Sequence, residues 1–311
     1  MSFPPRVYVI VLNWNTWEVT CDCLRSLAKV DYQNFQTVIV DNGSSNDSAD
    51  QLATRFPDVP LIRNRTNRGY AGGNNVGIRY ALQHNADYVL LLNNDTEVSP
   101  SFLQEMVRIA SADPAIGLVN PKIFYFDPAD RIWYAGGTFS LWRGVANHIG
   151  LGRHDNPRYN QAQDCTFGTG CALMASAEMI RKVGDLDENF FLVCEDTDWS
   201  IGALRAGFRV VYAPSAVIWH KESYTIRETA GKQLRDYYNI RNTLLLARKH
   251  ARYYHWPSVS VFLASTLAYR TLGYCVRGEF DRVAALYRGL RDGLNPSPVS
   301  QLPRSQAQPD S

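Results

Sequence analysis

The stretch FQTVIVDNGSSND, residues 35–47, is an apolar, β-branched run that stops at an aspartate and dissolves into turn formers. It reads as a buried strand delivering Asp41, Asn42 and Ser44 to its carboxyl end. The same pattern flanks it. Upstream, VYVIVLNW (7–14) is a second continuous apolar run ending at Asn13, Trp14 and Asn15, followed by helical spacing from Thr16 to Lys29 through Val19, Cys23 and Leu27. Downstream come a short helix from Ser48 to Phe56, a strand VPLIRN (59–64), a helix from Gly72 to His84 and a fourth strand in ADYVLLLNND (86–95). Strand and helix alternating at this spacing predict a mostly parallel sheet with crossover helices. Ligands of such sheets sit at the carboxyl ends of the strands, where all three polar clusters fall.

Farther along the chain, Ser99 is a candidate cap for a helix running to Asp113, with Pro100 in its first turn. Residues 121–164 are rich in aromatics and glycine and predict short strands and loops. Helices follow at 175–183 and 196–206, then a strand in FRVVYAP. From Leu234 the pattern is helical with one break at Trp256 and Pro257, and the Pro/Ser/Gln-rich end reads as a disordered tail.

The chain of 311 residues is 45% hydrophobic and 20% charged, enough to bury a large core. Apolar runs fall short of a bilayer span, and the opening residues lack a secretory pattern, which points to the cytoplasm. Cys21, Cys23, Cys165, Cys171, Cys194 and Cys275 form no disulfide framework or zinc spacing and are expected to be free thiols. Net charge is +2, but residues 227–292 hold 12 basic and 5 acidic side chains, a net of +7. That basic end suits an anionic membrane surface or a phosphate-bearing partner; no nucleic-acid recognition motif accompanies it.

Each polar cluster admits two readings. Asn, Asp, Gly and Ser are turn formers in any protein; three clusters at one sheet edge also suit a ligand. NRGYAGGNNVG (67–77) offers bare backbone and a helix N-terminus to a phosphate, yet neither GxGxxG nor GxxxxGK[ST] is present. Asp95 at a strand tip suits a hard divalent cation whose remaining ligands are diphosphate oxygens. His220, after AVIW, is either a further ligand or an ordinary packed histidine. Glu195, Asp196 and Asp198 crowd one helix start. Acidic residues favour a first helical turn, and a carboxylate here also suits a general base, with crowding raising at least one pKa.

Taken together, VIVLNWN, VIVDNGSSND, NRGYAGGNNVG, LLLNND, GTGCALM, FLVCEDTDWSIGALRAGFRV and APSAVIWH resemble, in order, family 2 of the inverting glycosyltransferases, over about residues 7–249. With the YYNIRN segment near Tyr237, the likeness runs toward bacterial rhamnosyltransferases. The resemblance implies a GT-A fold, α/β with a Rossmann-like, mostly parallel central sheet and a C-terminal helical extension. Residues 1–250 would form the catalytic domain, 1–96 its nucleotide-binding half and 97–222 its acceptor-side half, with a helical extension at 251–292 and the tail at 293–311.

By position, the resemblance places Asp41 on the pyrimidine base with Asn13, Asn15 and Asn42 around it. Gly69, Gly72, Gly73 and Asn74 would line the ribose and diphosphate. Asn93 and Asp95 stand at the family's DxD motif, where the first Asp is replaced by Asn93. Asp95 and His220 would then hold Mg2+ or Mn2+. Asp196 matches the catalytic base, with Glu195 beside it. Arg241 is either a second cation at the leaving group or a helix-surface charge. Trp133 and the Gly168-Thr169-Gly170 turn are sugar contacts or packing. The implied reaction moves a sugar, foremost from dTDP-L-rhamnose, to a saccharide or lipid-linked saccharide acceptor. A UDP-hexose or UDP-galactofuranose donor, or a non-catalytic nucleotide-sugar-binding protein, are the alternatives. A nucleotidyltransferase would need a glycine-rich basic loop where this chain reads NWNTWE.

The segment WPSVSVFLASTLAYRTLGYCVRGEF (256–280), interrupted by Arg270, reads as an interfacial helix on the inner face of the cell membrane, or as a dimerisation or core helix. All these expectations hang on one geometry, with Asp95 and Asp196 facing one crevice.

Overall fold

The computed structural model describes residues 4–221 and 231–295. Four parallel strands form its first half: β1 (Val7–Asn13), β2 (Phe35–Asp41), β3 (Leu61–Arg63) and β4 (Tyr88–Asn93). Their side chains are buried on both faces along most of β1 and β4, which explains the unbroken apolar runs. Helices α1 (Trp17–Leu27), α2 (Ser48–Arg55) and α3 (Gly69–Gln83) make the crossovers. Because β1 lies between β2 and β4, the strand order reverses at its carboxyl end. The register sets Asn13 opposite Asp41, and Leu12 opposite Asn93. The polar clusters therefore meet at a topological switch point.

Helix α3 opens at Gly69, three residues before the expected Gly72. The glycine-rich motif is therefore its first turns rather than a loop preceding it. Ser99 does not cap the next helix either. Its carbonyl accepts from the Phe102 amide in a preceding turn, and α4 (Phe102–Ala110) starts from Ser101.

The second half makes the sheet mixed rather than simply parallel. Strand β11 (Ala172–Ser176) runs antiparallel between β4 and β6 (Ile116–Tyr125), and β12 (Arg209–His220) pairs parallel with β6. FRVVYAP and AVIWH turn out to be one strand with an irregularity between Ala213 and Val217. The short β5 (Thr96–Val98) pairs antiparallel with β12, and β7 (Ile132–Tyr134) with β6. A separate hairpin, β8 (Gly137–Ser140) and β9 (Val145–His148), stands apart from the sheet, and β10 (Gln163–Cys165) closes its edge on β12. Helices α5 (Ala177–Val183) and α6 (Glu195–Arg205) complete this half. One large core holds the strands and their helices.

Three helices follow: α7 (Gly231–His250), α8 (Trp256–Val276) and α9 (Phe280–Leu294). The expected break falls just before Trp256, with Pro257 in the first turn of α8, where it costs no hydrogen bond. They enclose a smaller core of Ile240, Leu244, Leu263, Leu267, Tyr274 and Leu286. Gly289 allows α9 to approach α7 closely, since a Cβ there would lie 2.4 Å from the Tyr237 carbonyl oxygen. Contrary to the sequence reading, one helical stretch, Tyr253–Val276, is long and apolar enough to cross a membrane. Of the tail assigned to 293–311, residues 293 and 294 belong to α9 and 296–311 lie outside the described residues. All six cysteines are free.

Candidate active site

Strand registry builds the site. At the end of β1, the Asn13 side-chain amide donates to Asp41 Oδ1 at 2.8 Å, and its oxygen accepts from Thr20 at 2.9 Å. Ser44 donates its hydroxyl (2.6 Å) and its backbone N–H (3.1 Å) to the two oxygens of Asp41. Asn15, at φ +58°, accepts from the Ser45 amide and donates its own N–H to Ser44. Asn94 donates to Thr16 and Thr20 from the other side. The loops after β1, β2 and β4 are thus one hydrogen-bonded unit, with Asp41 at its centre.

The neighbouring residues do something other than expected. Asn42 uses its whole amide on protein: it donates to Asn67 and Gly69 and accepts from Asn64 and the Arg68 N–H. Gly73 leaves room for β1, since a Cβ there would stand 2.6 Å from Leu12 Cδ1, and Asn74 is buried with its amide on the Tyr70 carbonyl. At Gly72 a Cβ would meet Arg68 and the Glu188 carboxylate. Gly69 sits at φ +72°, where a side chain would strike the Phe191 carbonyl oxygen at 2.4 Å. These positions hold α3 tightly against β1 and the 188–193 segment.

Asp95 follows β4, and the pairing of β5 with β12 sets His220 opposite Thr96, one residue on. His220 Nε2 lies 3.1 Å from Asp95 Oδ1, and both side chains are only 4% exposed. Burial alone would lower the His220 pKa. The nearby Cys171 thiol and Asp95 carboxylate outweigh it and hold the pKa well above the usual value. A site that favours positive charge this strongly suits a cation. Two oxygen or nitrogen ligands about 2.1 Å from one ion, at a right angle, stand about 3 Å apart. Asp95 and His220 therefore fit a divalent metal, with Asn93, partly exposed, beside them. Among the described residues no group of three or more His, Cys, Asp or Glu forms a closed cage.

Trp133 forms one wall. Its ring meets His220 edge-on at 4.6 Å and His148 at 4.5 Å. Burial pushes His148 down to about 4, leaving it neutral.

Opposite stands the start of α6. Asp196 Oδ2 accepts from the Gly170 N–H at 2.9 Å, and Oδ1 from the Thr197 N–H at 2.7 Å. Burial raises its pKa, and those hydrogen bonds take back part of the rise. Glu195 is more deeply buried, its Oε2 has no hydrogen-bond partner among the described residues, and burial with the adjacent Asp196 charge raises its pKa far above the usual range. Asp198 turns away and pairs with His250 at 2.7 Å and Lys249 at 2.9 Å, tying α6 to α7. One crowded cluster therefore yields three environments. Asp196 is the carboxylate that is both hydrogen-bonded and partly open to solvent.

The 170–171 backbone joins Asp196 and Asp95: the Gly170 N–H donates to Asp196, and the Cys171 carbonyl accepts from the Asn93 N–H, two residues before Asp95. The Tyr70 phenol feels the charges of Glu195, Asp196 and Asp95 together, and the Cys171 thiol feels His220, Asp95 and Asp196. Tyr70 donates to the Gly170 carbonyl while Gly170 donates to Asp196. In the Gly168-Thr169-Gly170 turn, Gly170 thus acts on the carboxylate. Gly168 and Thr169 face inward, where Asn120 donates to the Thr169 and Ala172 carbonyls and leaves no space for a Cβ at Gly168.

Residues to which the sequence reading gave no site role complete the arrangement. Phe191, Val193 and Cys194 all have left-handed φ (59°, 61° and 72°), which costs non-glycine residues energy. The buried Asn242 amide holds this bend, with the Phe190, Leu192 and Val193 carbonyls all within 2.8 Å. Arg241 supports the same segment by donating to the Asn189 carbonyl and to Asn242 Oδ1. Its guanidinium is 1% exposed, so neither the helix-surface reading nor an open second cation describes it. The signal for Asn242 was present in YYNIRN, but only a folded chain shows what it touches. Tyr70 lay inside a motif in which only the glycines and Asn74 drew attention.

A family model described as glycosyl transferase family 2 matches residues 8–184, more than half of the chain. The match ends before Asp196 and His220. An uncharacterized Sinorhizobium fredii protein, y4gI, is 32% identical over 72% of this chain, which spans 25% of that protein's length. The dTDP-rhamnosyl transferase RfbF of Shigella flexneri is 25% identical, covering 79% of this chain and 81% of its own. Among solved structures, the Pyrobaculum calidifontis mannosyltransferase PcManGT, in complex with GDP-Man and Mn2+, superimposes with a TM-score of 0.58 at 15% identity, over 95% of this chain and 89% of that one. The likeness in fold is to a glycosyltransferase with a central sheet flanked by helices.

Proposed function

Because the chain belongs to glycosyl transferase family 2, we propose that it is an inverting glycosyltransferase using a nucleoside-diphosphate sugar, with dTDP-L-rhamnose as donor and a saccharide hydroxyl, free or lipid-linked, as acceptor. The observation that carries this reading is the meeting of the Asp95–His220 pair and Asp196 around Tyr70 and Cys171. The likeness to RfbF, over most of both chains, supports the rhamnosyl donor.

In this mechanism the pyrimidine meets Asp41, whose Oδ2 accepts only the Ser44 N–H among the described residues and keeps a lone pair for a base N–H. Asn13 and Ser44 fix that carboxylate in advance, so no ordering cost falls on donor binding. Asp95 and His220, with Asn93 alongside, would hold Mg2+ or Mn2+, which when bound supplies positive charge to the diphosphate leaving group. Asp196 removes the acceptor proton as the acceptor oxygen bonds to the anomeric carbon. The bond from that carbon to the diphosphate breaks on the opposite face, its electron pair leaves with the diphosphate, and configuration inverts. The raised pKa of Asp196 makes it a better base than an exposed aspartate, and the Gly170 and Thr197 N–H groups aim it.

Replacing Asp196 with Asn should reduce transfer by about 10³-fold, within the range for loss of a general base. Nucleotide affinity, measured by calorimetry, should stay within about threefold. Turnover near that of the wild type would remove Asp196 from this role.

A further inference from the structure

One face of α8 is packed and the other is bare. Val259, Leu263, Leu267 and Tyr274 pack inward, while Arg270 reaches the buried Asp236 carboxylate at 3.5 Å, which Arg282 and the Tyr274 hydroxyl also contact. The opposite face runs Val261, Phe262, Tyr269, Leu272 and Val276, at 36–81% exposure. At 100° per residue these five positions fall within one stripe about 100° wide. Arg270 is the one charged residue of α8, and it lies off that stripe on the packed side.

The edges of the bare face are aromatic and basic. Tyr253, 86% exposed, precedes α8, and α9 shows Phe280, Tyr287 and Arg288 on its outer side. Arg288 has no carboxylate partner among the described residues. The acidic neighbours Glu279 and Asp292 are already matched to arginines. Exposed Asp281 also has no ion-pair partner among the described residues, and five arginines against three acids leave residues 256–295 at a net charge of +2.

The stripe also leads back toward the crevice. Trp142, at the tip of the β8–β9 hairpin, packs its ring 4.7 Å from His255 and 5.9 Å from Tyr254, at the start of α8. The other end of that hairpin carries His148, against Trp133 and so beside His220.

We infer that this face docks on a bilayer bearing anionic lipids, with α8 lying along the surface and its apolar stripe in the headgroup–acyl boundary. Aromatic rims and a net positive charge around an apolar stripe match that environment. Crossing the bilayer would strip Arg270 from Asp236 and expose the inner core, so length alone does not make α8 a span. A second copy fits less well, because a two-fold contact sets a patch against itself and would bring the positive rims together.

The test uses the full chain and sedimentation with vesicles of phosphatidylcholine, with and without phosphatidylglycerol. The wild type should bind the anionic vesicles and bind less as salt rises. Leu272→Glu/Val276→Glu, at two exposed positions, should weaken binding roughly tenfold or more, with an unchanged melting temperature. Failure of the wild type to bind anionic vesicles, or equal binding by the double variant, overturns the inference. So does a wild-type dimer in light scattering that the double variant splits while vesicle binding is absent. The bare face lies outside the crevice, so neither failure touches the reading of Asp196 as a base.

Discussion

The two sides of the crevice are built on opposite physical terms. On the Asp41 side, Asn13, Asp41, Ser44, Thr20 and Asn94 satisfy one another, and Asn15 is the non-glycine residue there at positive φ. On the Asp196 side, Glu195 has a buried oxygen without a partner among the described residues, and Phe191, Val193 and Cys194 of one short segment are held at left-handed φ. One wall rests near its local minimum. The other is kept in place by residues far away in sequence, Asn242 above all. Binding surfaces gain from being settled beforehand, whereas a base gains from an environment that raises its pKa, and that environment must be bought with contacts elsewhere.

Perturbing each wall should separate these two behaviours. After Asp196→Asn, the largest effect is expected where the walls meet. Asp95→Ala should lower transfer by roughly a hundredfold or more, the scale of metal-assisted leaving-group stabilisation. Chelation should lower the wild-type rate in the same direction and have little further effect on the variant; a rate insensitive to both would remove the cation from the site. Asn242→Ala should cut kcat about tenfold while leaving the donor KM nearly unchanged, and lower stability by about 1–3 kcal/mol, because buried carbonyls lose their donor. If KM rises and kcat holds, the tension lies on the wrong wall. Asn13→Ala should show the reverse, a donor KM raised about fivefold, the scale of one lost hydrogen bond, with kcat little altered.

The smallest effect is thermal. The folded-state pKa of Glu195 lies above its ordinary value of 4.5, so the native chain keeps that proton longer than the unfolded one. Its contribution to stability is complete below 4.5 and is lost as pH rises through the raised value. Glu195→Gln should therefore raise the melting temperature at neutral pH by roughly 2–4 °C per kcal/mol gained, and by little near pH 4. An equal gain at both pH values would show that ionisation is not the cause.

What could be read from the amino-acid order follows the same divide. Strands β1, β2 and β4 announce themselves through local apolar runs, and their register then brings Asn13 and Asp41 together without further information. The carboxylates at 195–198 were visible as a cluster, but their separation into a proposed base, an orphan and a structural ion pair depends on Gly170, on Asn120 of β6, and on Lys249 and His250 at the end of α7. Glycine-rich 67–77 looked like a phosphate loop because bare backbone serves two purposes. Only packing against Leu12 and Phe191 reveals the second. Arg241 was misplaced for a related reason: a helix-borne arginine looks exposed until α7 is packed against the 188–193 segment.

The Tyr70 amide donates to the Phe191 carbonyl, and Gly69 leaves no room between them. The two sides of the candidate site are therefore stitched through one short seam, and the two halves are not interchangeable cassettes. Swapping residues 1–96 for the equivalent part of another enzyme, to change which sugar is delivered, would require the recipient's 188–193 bend to travel with it. Recombination libraries that cut only after Asp95 should yield mostly inactive hybrids.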